Sequence, residues 1–475
     1  ILKPGKVRGV ESAGMVCSPR ELDISAEHEG ILILPADAPT GMALADYLGD
    51  AVLDLDIKGR WDCLSMLGVA REVAAIQQVQ LGAKTALRLP PDAYPAAGET
   101  ADELISLRIE APDLCPRYSA TVIRGVTIGP SPAWLQERLI SAGQRPINNI
   151  VDVTNYVMLE WNQPLHAFDY DRIRGRQIVV RRAGEWTRFT TLDGALRDLN
   201  PETLLICDAE RPVALAGVMG GLDSEVTGAT TRVLLESAYF NPRTIRRTAK
   251  RLGLSTEASY RFERGVDPDG VIHALERATQ LMCEVGAGTV AAKRLDEYPA
   301  PIQHPRLNLR VSRANQVLGT NFTSEQMLHL LRRLHLPALA VDGENLVLQV
   351  PPFRGDLERE VDLIEEFARL AGFDAIPVTL PRGEVATPRP GPEVRLLAAA
   401  RQLLEGLGFF EVITYSFQPD RLGSLLTVAE PPAALRLANP LSEEQAMMRT
   451  SLLPGLLDTL RRNALKQAQD VRLFE

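Results

Sequence analysis

The sequence predicts an α+β multidomain chain, and three observations carry that reading. Its length of 475 residues, at roughly 100–200 residues per domain, implies about three or four domains. Short apolar strands and amphipathic helices alternate through the middle without an internal repeat. Proline-rich stretches at Leu89–Gly98, Glu297–Pro305 and Leu380–Glu393 read as linkers, because proline lacks a donor N–H and resists regular structure. They leave blocks 1–88, 99–296, 306–380 and 393–475.

In block one, VRGVESAGMVCS (Val7–Ser18) sets β-branched residues among glycines, and GILILP (Gly30–Pro35) reads as a short strand. A helix is predicted over Val69–Val79, where Val69, Val73, Ile76 and Val79 recur three or four apart. Block two mixes strands at Ala120–Ile128, Gln177–Ala183, Thr203–Asp208 and Arg232–Ala238 with helices at Pro132–Gly143 and Gly270–Gly286. The asparagine-rich Ile147–Glu160 lies between them. Block three carries helices at Ser324–Leu334 and Asp356–Gly372 around strands Pro337–Gly343 and Asn345–Pro351, a winged-helix-like composition. Block four opens with a helix, Glu393–Gly408, followed by a strand, Phe410–Phe417.

Composition excludes several classes. Hydrophobic residues are 45% and charged residues 24%, which rules out wholesale disorder. No apolar run approaches the ~18 residues that span a bilayer, and no signal peptide opens the chain. Five scattered cysteines (Cys17, Cys63, Cys115, Cys207, Cys283) form no CxxC pair, so neither a zinc knuckle nor a disulfide framework is expected. A reducing, cytoplasmic setting is the expectation. The net charge of −9 argues against a protein dominated by nucleic-acid binding but leaves room for a local basic face. The start at Ile1 and the stop within VRLFE suggest a piece of something longer.

Chemistry-bearing residues cluster in two places. In block three, Asp362, Glu365 and Glu366 share one helix face, and Asp356 lies near the helix start. Such grouped carboxylates suit Mg²⁺. An acidic, solvated first turn favoured by the helix dipole is the plainer alternative, as is neutralisation by Arg354, Arg359 and Arg369. In block two, His166 lies twelve residues after Thr154, near Asn155 and Gln163. It reads either as a group orienting water or a ribose hydroxyl, or as a histidine bonded to backbone. Gly217–Gly221 (GVMGG) is a turn whose backbone suits close approach to a ligand, and no GK[ST] follows to make it a Walker loop. Glu236 sits in an apolar strand, where a charge is costly unless it meets an arginine or a substrate hydroxyl. Ser255–Gly265 is dense in small hydroxyl residues followed by alternating charges. Arg243, Arg246, Arg247, Lys250 and Arg251 fall on one helical face, suited to phosphates or simply solvated. No nucleophile motif is present: there is no GxSxG and no HExxH.

The long runs RPINNIVDVTNYVMLEWNQPLHAFD, LAGVMGG, STEASYRFERGVDP and RGDLEREVDLIEEFARLAGFDAIP, followed by LGFFEVITYSF and NPLSEEQAMMRTSLLPGLL, resemble the bacterial phenylalanine–tRNA ligase (phenylalanyl-tRNA synthetase) β-subunit family, in order and across nearly the whole chain. The resemblance implies an enzyme subunit of an α₂β₂ tetramer. The α partner would carry ATP-dependent attachment of phenylalanine to tRNA(Phe). This chain would carry hydrolytic editing of Tyr-tRNA(Phe). It implies the tail of an OB-type tRNA-binding fold in 1–88, an editing domain in 99–296, a B5 module in 306–380 and an incomplete, non-catalytic class II-like sheet domain in 393–475. It assigns Asp356, Asp362, Glu365 and Glu366 to a Mg²⁺ site shared with the α subunit. It assigns Thr154, Asn155, His166, Gly217, Glu236, Thr256 and Ala258 to the editing pocket. The Arg-x-Glu core of Arg261–Gly265 is read as a structural ion pair, so no ATP residues are placed on this chain.

Overall fold

The computed structural model describes all residues except 1–4, 8, 9, 13, 15, 23, 25–27, 35, 50, 78–95, 381, 382, 384–389 and 426–433. Most of the Leu89–Gly98 and Leu380–Glu393 stretches, and the end of the predicted Val69–Val79 helix, lie outside the described residues. The chain divides into two compact units, Ile1–Val378 and Thr379–Glu475.

The first unit begins with a two-stranded ribbon, Gly5–Val7 against Val10–Ser12. Residues 31–34 form no strand, and Ile31 and Ile33 are exposed. An apolar run pairs only where a sheet edge meets it, so composition overstated this element. Helix α1 (Met66–Gln77) forms, but it buries Gly68, Ala74 and Ala75 and leaves Val73 and Ile76 exposed. Its packing face therefore follows the small residues rather than the predicted β-branched stripe.

Two sheets build the middle. The larger uses β1 (Ala96–Thr100), β3 (Arg117–Arg124), β4 (Leu165–Asp169), β9 (Arg232–Tyr239), β10 (Thr289–Ala292) and β11 (Leu295–Glu297), in the order β1-β10-β3-β9-β4 with β11 also on β3. The smaller uses β2 (Ser106–Ile109), β5 (Gln177–Arg182), β6 (Leu204–Cys207), β7 (Pro212–Leu215) and β8 (Met219–Gly220), in the order β8-β7-β6-β5-β2. Strands β3 and β9 run antiparallel, buried along their whole interiors because both sheet faces are covered. Leu234 and Ala238 of β9 join a core shared with the smaller sheet, through Leu205 and Leu215. Val233 and Leu235 join a second core under helices α2 (Ala133–Ser141), α3 (Asn149–Trp161) and α6 (Gly270–Gly286). The asparagine-rich run is thus helix α3, started by the Asn148 side chain, which accepts the Ile150 and Val151 N–H groups. Helices α4 (Pro242–Leu252) and α5 (Glu257–Phe262) follow β9.

Residues 306–371 add a three-stranded sheet of β12 (Arg306–Arg310), β14 (Asn345–Gln349) and β13 (Ala338–Val341), with helices α7 (Val311–Leu318), α8 (Ser324–Arg333) and α9 (Glu360–Ala371). A third core, including Leu309, Leu331, Leu348 and Phe367, fills it.

In the second unit, Phe410–Glu411 pairs with Leu473–Phe474, and Phe417–Gln418 pairs with Met447–Met448. The predicted Phe410–Phe417 strand is therefore broken, and Ile413 and Tyr415 between its ends are exposed. Helix α10 (Pro392–Gly406) forms without a buried residue.

Candidate functional site

Strand pairing puts Glu236 of β9 directly opposite His166 of β4 on one side and Ala120 of β3 on the other. Side chains alternate along a strand, so Glu236 shares its face with Leu234 and Ala238, and His166 with Phe168. Glu236 and His166 therefore lie side by side on the face turned toward the smaller sheet. Tyr118 of β3 completes the row, its hydroxyl donating to Glu236 Oε2 at 2.9 Å.

This partner is neither an arginine nor a substrate hydroxyl but a hydroxyl of the chain itself. Among the described residues no arginine pairs with it, and the carboxyl lies buried beside a phenol. Burial pushes its pKa up to about 8, opposed by the Tyr118 hydrogen bond. Near neutral pH the group is therefore mostly protonated, and it both donates and accepts hydrogen bonds. Burial and the neighbouring Glu236 raise the Tyr118 hydroxyl in turn.

His166 stands edge-on to Phe168, with ring centroids 4.4 Å apart. Its Nε2 is enclosed and has no hydrogen-bond partner among the described residues. Burial lowers its pKa to about 4, so the imidazole is neutral at physiological pH. Gly220 covers it: a Cβ there would sit 2.5 Å from His166 Cε1 and 2.7 Å from Nε2. Neither Tyr118 nor Gly220 stood out from the sequence as a separate residue. Tyr118 becomes visible only when β3 and β9 are paired, and Gly220 was one of three glycines in a turn.

The other predicted pocket residues fall into two groups. Gly217 has φ +67°, and a Cβ would meet Ile245 Cδ1 at 2.8 Å, so both backbone and space require glycine. Thr256 caps α5, accepting the Ser259 N–H at 3.0 Å while its hydroxyl donates to the Val218 carbonyl at 2.8 Å. It thereby ties the start of α5 to the glycine turn. Ala258 packs against the core shared by the two sheets. Thr154 and Asn155 belong instead to α3, whose Ile150, Val153 and Val157 pack on the opposite face of the large sheet. Thr154 donates to its own helix at Val151 O, 2.7 Å away. The structure gives no bond from either residue to His166 or Glu236.

The acidic set of α9 does not converge. Arg354, 1% exposed, grips Asp356 with two bonds (2.8 and 2.7 Å) and Glu366 Oε2 at 2.8 Å. Arg369 adds a bond to Glu366 at 2.8 Å and another to Glu72 at 2.6 Å, and Arg60 bridges Glu72 at 2.6 Å and Asp62 at 2.7 Å. Burial pushes Glu366 up, but the bonds and charges of Arg369 and Arg354 outweigh it and hold the carboxyl below its ordinary range. Asp362 caps α9, accepting the Glu358 and Arg359 N–H groups at 3.0 and 2.7 Å. Glu365 is exposed and makes no ion pair among the described residues. Arginines and backbone N–H groups thus already engage three of the four carboxylates, and as placed the set does not fit a Mg²⁺ coordination shell. Among the described residues, one trio of ligand-type groups does cluster, Asp62, Cys63 and Glu72, and Arg60 holds both of its carboxylates.

The basic stripe is helical. Asn241 caps α4 and Gly253 ends it in the left-handed conformation. Ile245, Thr248 and Ala249 are buried, while Arg243, Arg246, Arg247, Lys250 and Arg251 are exposed. None of the five makes an ion pair among the described residues, and Arg251 bonds only to the Thr203 hydroxyl, at 2.6 Å. Ile245 on the buried face lies against Gly217, so α4 packs on the glycine turn with this uncompensated face turned to solvent. Arg261 pairs with Glu257 at 2.5 Å within α5.

Comparison with known proteins places these elements. The B3/4 domain matches residues 114–287, the tRNA synthetase B5 domain residues 307–373, and the phenylalanyl tRNA synthetase beta chain CLM domain residues 376–475. The phenylalanine–tRNA ligase β subunit of Geobacter sulfurreducens is 49% identical over 100% of this chain and 59% of its own length. That of Moorella thermoacetica is 50% identical over 98% of this chain and 59% of its own length. The chain thus spans about three fifths of the relatives it matches. Among solved structures, an N-terminal fragment of the phenylalanyl-tRNA synthetase β-subunit from Pyrococcus horikoshii covers 66% of this chain and 84% of that one, at 13% identity and a TM-score of 0.35. No helix among the described residues is long and apolar enough to cross a membrane.

Proposed function

The chain belongs to the phenylalanine–tRNA ligase β-subunit family, and on that premise we propose that it hydrolyses Tyr-tRNA(Phe) at the Tyr118–Glu236–His166 row. We propose further that it supports ATP-dependent charging of tRNA(Phe) by a cytoplasmic α partner in an α₂β₂ enzyme. The observation that carries the editing reading is the buried, largely neutral Glu236 carboxyl with one oxygen bonded to Tyr118 and no cation beside it.

The physical case starts from selectivity. A phenylalanine pocket weakly rejects an isostere that adds a hydroxyl, so tyrosine is mischarged and a second site must remove it. That site needs a polar group reaching the ring hydroxyl. Glu236 meets the need, because its Oε1 has no partner among the described residues. A phenylalanine ring leaves it unpaired, at a cost of about 1–3 kcal/mol. His166, neutral and beside Glu236, positions the ester end and the attacking water. Because Gly220 covers Nε2, admitting the ester requires the Met219–Gly221 segment to give way. No covalent intermediate is needed. Thr154 and Asn155 act, in this reading, from the helix behind the sheet, and Gly217, Thr256 and Ala258 shape the turn. The exposed basic face of α4 supports docking of the tRNA backbone beside that turn.

The remaining assignments are finer. The N-terminal residues are proposed as the end of an OB-type fold, residues 306–380 as a winged-helix-like module and residues 393–475 as a class II-like domain without catalytic residues. Apolar residues left exposed in the second unit, among them Leu396, Leu397 and Leu403, support a partner that covers them. No step is routed through Mg²⁺, and Asp356, Asp362 and Glu366 are proposed to act in this chain as part of a structural ion-pair lattice, with Glu365 outside it.

A second reading is a docking subunit with an inactive editing site, and the enclosed Nε2 of His166 favours it. Replacing Glu236 by alanine and comparing hydrolysis of Tyr-tRNA(Phe) and Phe-tRNA(Phe) separates the two. The editing reading requires the preference for tyrosine to collapse. Intact discrimination in the variant refutes the assignment.

A further inference from the structure

A cavity of about 300 Å³, at the low end of small-molecule sites, is lined by none of Tyr118, His166 and Glu236. Its wall includes Trp61, Arg71, Trp161, Asp267, His273 and Phe353. The rings form flat apolar sides: Trp161 stacks on His273 with centroids 5.9 Å apart, and Phe353 lies under the Arg71 guanidinium, 3.9 Å from Cζ to ring centroid.

Two charges on this wall lack ionic partners. Arg71 makes no hydrogen bond or ion pair among the described residues, and burial lowers its pKa. Asp267 accepts only backbone N–H groups, including that of Asp269 at 2.9 Å, and burial raises its carboxyl above the ordinary range. Each feels the other's charge, yet no nitrogen–oxygen pair between them comes within 4.0 Å. The other acids on the wall are already held, Asp62 by Arg60 at 2.7 Å and Asp269 by His304 at 2.9 Å. A half-buried cation and a half-buried anion facing one cavity without touching leave both poorly solvated. A ligand carrying a carboxylate and an ammonium satisfies them together, with an apolar side chain against the rings.

We propose that this cavity binds a free α-amino acid with a bulky apolar side chain, its carboxylate on Arg71 and its ammonium toward Asp267. Such a site stands apart from the editing row, and its test does not depend on tRNA hydrolysis.

The test is a fluorescence titration, since two of the four tryptophans, Trp61 and Trp161, wall the cavity. L-phenylalanine is the first probe, added to the chain after its cooperative melting has been verified. The expected result is a saturable change with L-phenylalanine. Binding weakens by about tenfold or more for L-phenylalaninamide, which lacks the carboxylate, for 3-phenylpropionate, which lacks the ammonium, and for Arg71→Met. The analogue comparison decides the matter if Arg71→Met fails to fold. No saturable change in the folded chain overturns the proposal. Equal binding of 3-phenylpropionate and L-phenylalanine also overturns it, because that describes an anion site alone.

Discussion

Two sets of wholly or partly buried ionisable groups in this chain differ in one respect, charge compensation. Around α9, three arginines (Arg60, Arg354, Arg369) interleave with Asp62, Glu72, Asp356 and Glu366, and every carboxylate meets a guanidinium within 2.8 Å. On the large sheet, among the described residues, the Glu236 carboxyl bonds only to a phenol and the His166 Nε2 has no hydrogen-bond partner. The first arrangement keeps its charges and joins residues 60–72 to the 306–371 module. The second is driven to neutrality by burial, which places a carboxyl and an imidazole in states unusual for the surface. Perturbation without compensation is the mark of a site prepared for a ligand; perturbation with compensation marks a joint.

Breaking the joint gives the largest effect. Arg354→Met leaves Asp356 and Glu366 short of their buried partner, and chemical denaturation is expected to show a loss of about 3–5 kcal/mol. In the row, Glu236→Ala removes both the donor and the acceptor that would meet the ring hydroxyl, and is expected to lower the preference for Tyr-tRNA(Phe) by about ten- to a hundredfold, read from paired hydrolysis assays. Gly220→Ala comes next. Its Cβ collides with the imidazole, so tyrosine release falls while melting temperature drops by only a few degrees, an overpacking cost of about 1–3 kcal/mol.

The pH dependence sharpens the contrast. Glu236 is raised from 4.5 to about 8 in the folded chain, so the folded state holds the extra proton between those values and its contribution to stability falls as pH rises through them. His166 is lowered from 6.5 to about 4, so its contribution is lost as pH falls through that window. From about pH 6.5 to 8 only the Glu236 slope remains. The wild-type chain is therefore expected to lose stability there relative to Glu236→Gln, in parallel urea titrations. The smallest effect is assigned to Glu365→Ala, within about 0.5 kcal/mol as for other exposed positions, with the same melting temperature in the presence and absence of Mg²⁺.

Much of the fold was legible. The helices at 270–286 and 324–333 and the strands at 177–182 and 232–239 follow from periodicity, because their burial is set by the elements' own apolar faces. Elements that depend on a distant partner were not legible. Residues 31–34 meet no sheet edge, and α1 packs by its alanines. At the site, Glu236 and His166 were readable as candidate chemistry, an acid in an apolar strand and a histidine following Thr154, Asn155 and Gln163. Tyr118 was not, since its role depends on a strand register spanning 118 positions. The lattice was legible in part: Arg354, Arg359 and Arg369 were readable as able to neutralise the acids, and they pair with Asp356, Asp362 and Glu366. Its extension to Arg60 and Glu72 was not, since Arg369 meets Glu72 across 297 positions.

The central claim is tested most directly by release of tyrosine from Tyr-tRNA(Phe) by this chain, with Phe-tRNA(Phe) as the control and Glu236→Ala alongside, repeated with the α partner present. The account predicts selective release of tyrosine by the wild-type chain and loss of that selectivity in the variant. Release that is equal for both substrates, or unchanged by Glu236→Ala, would contradict it.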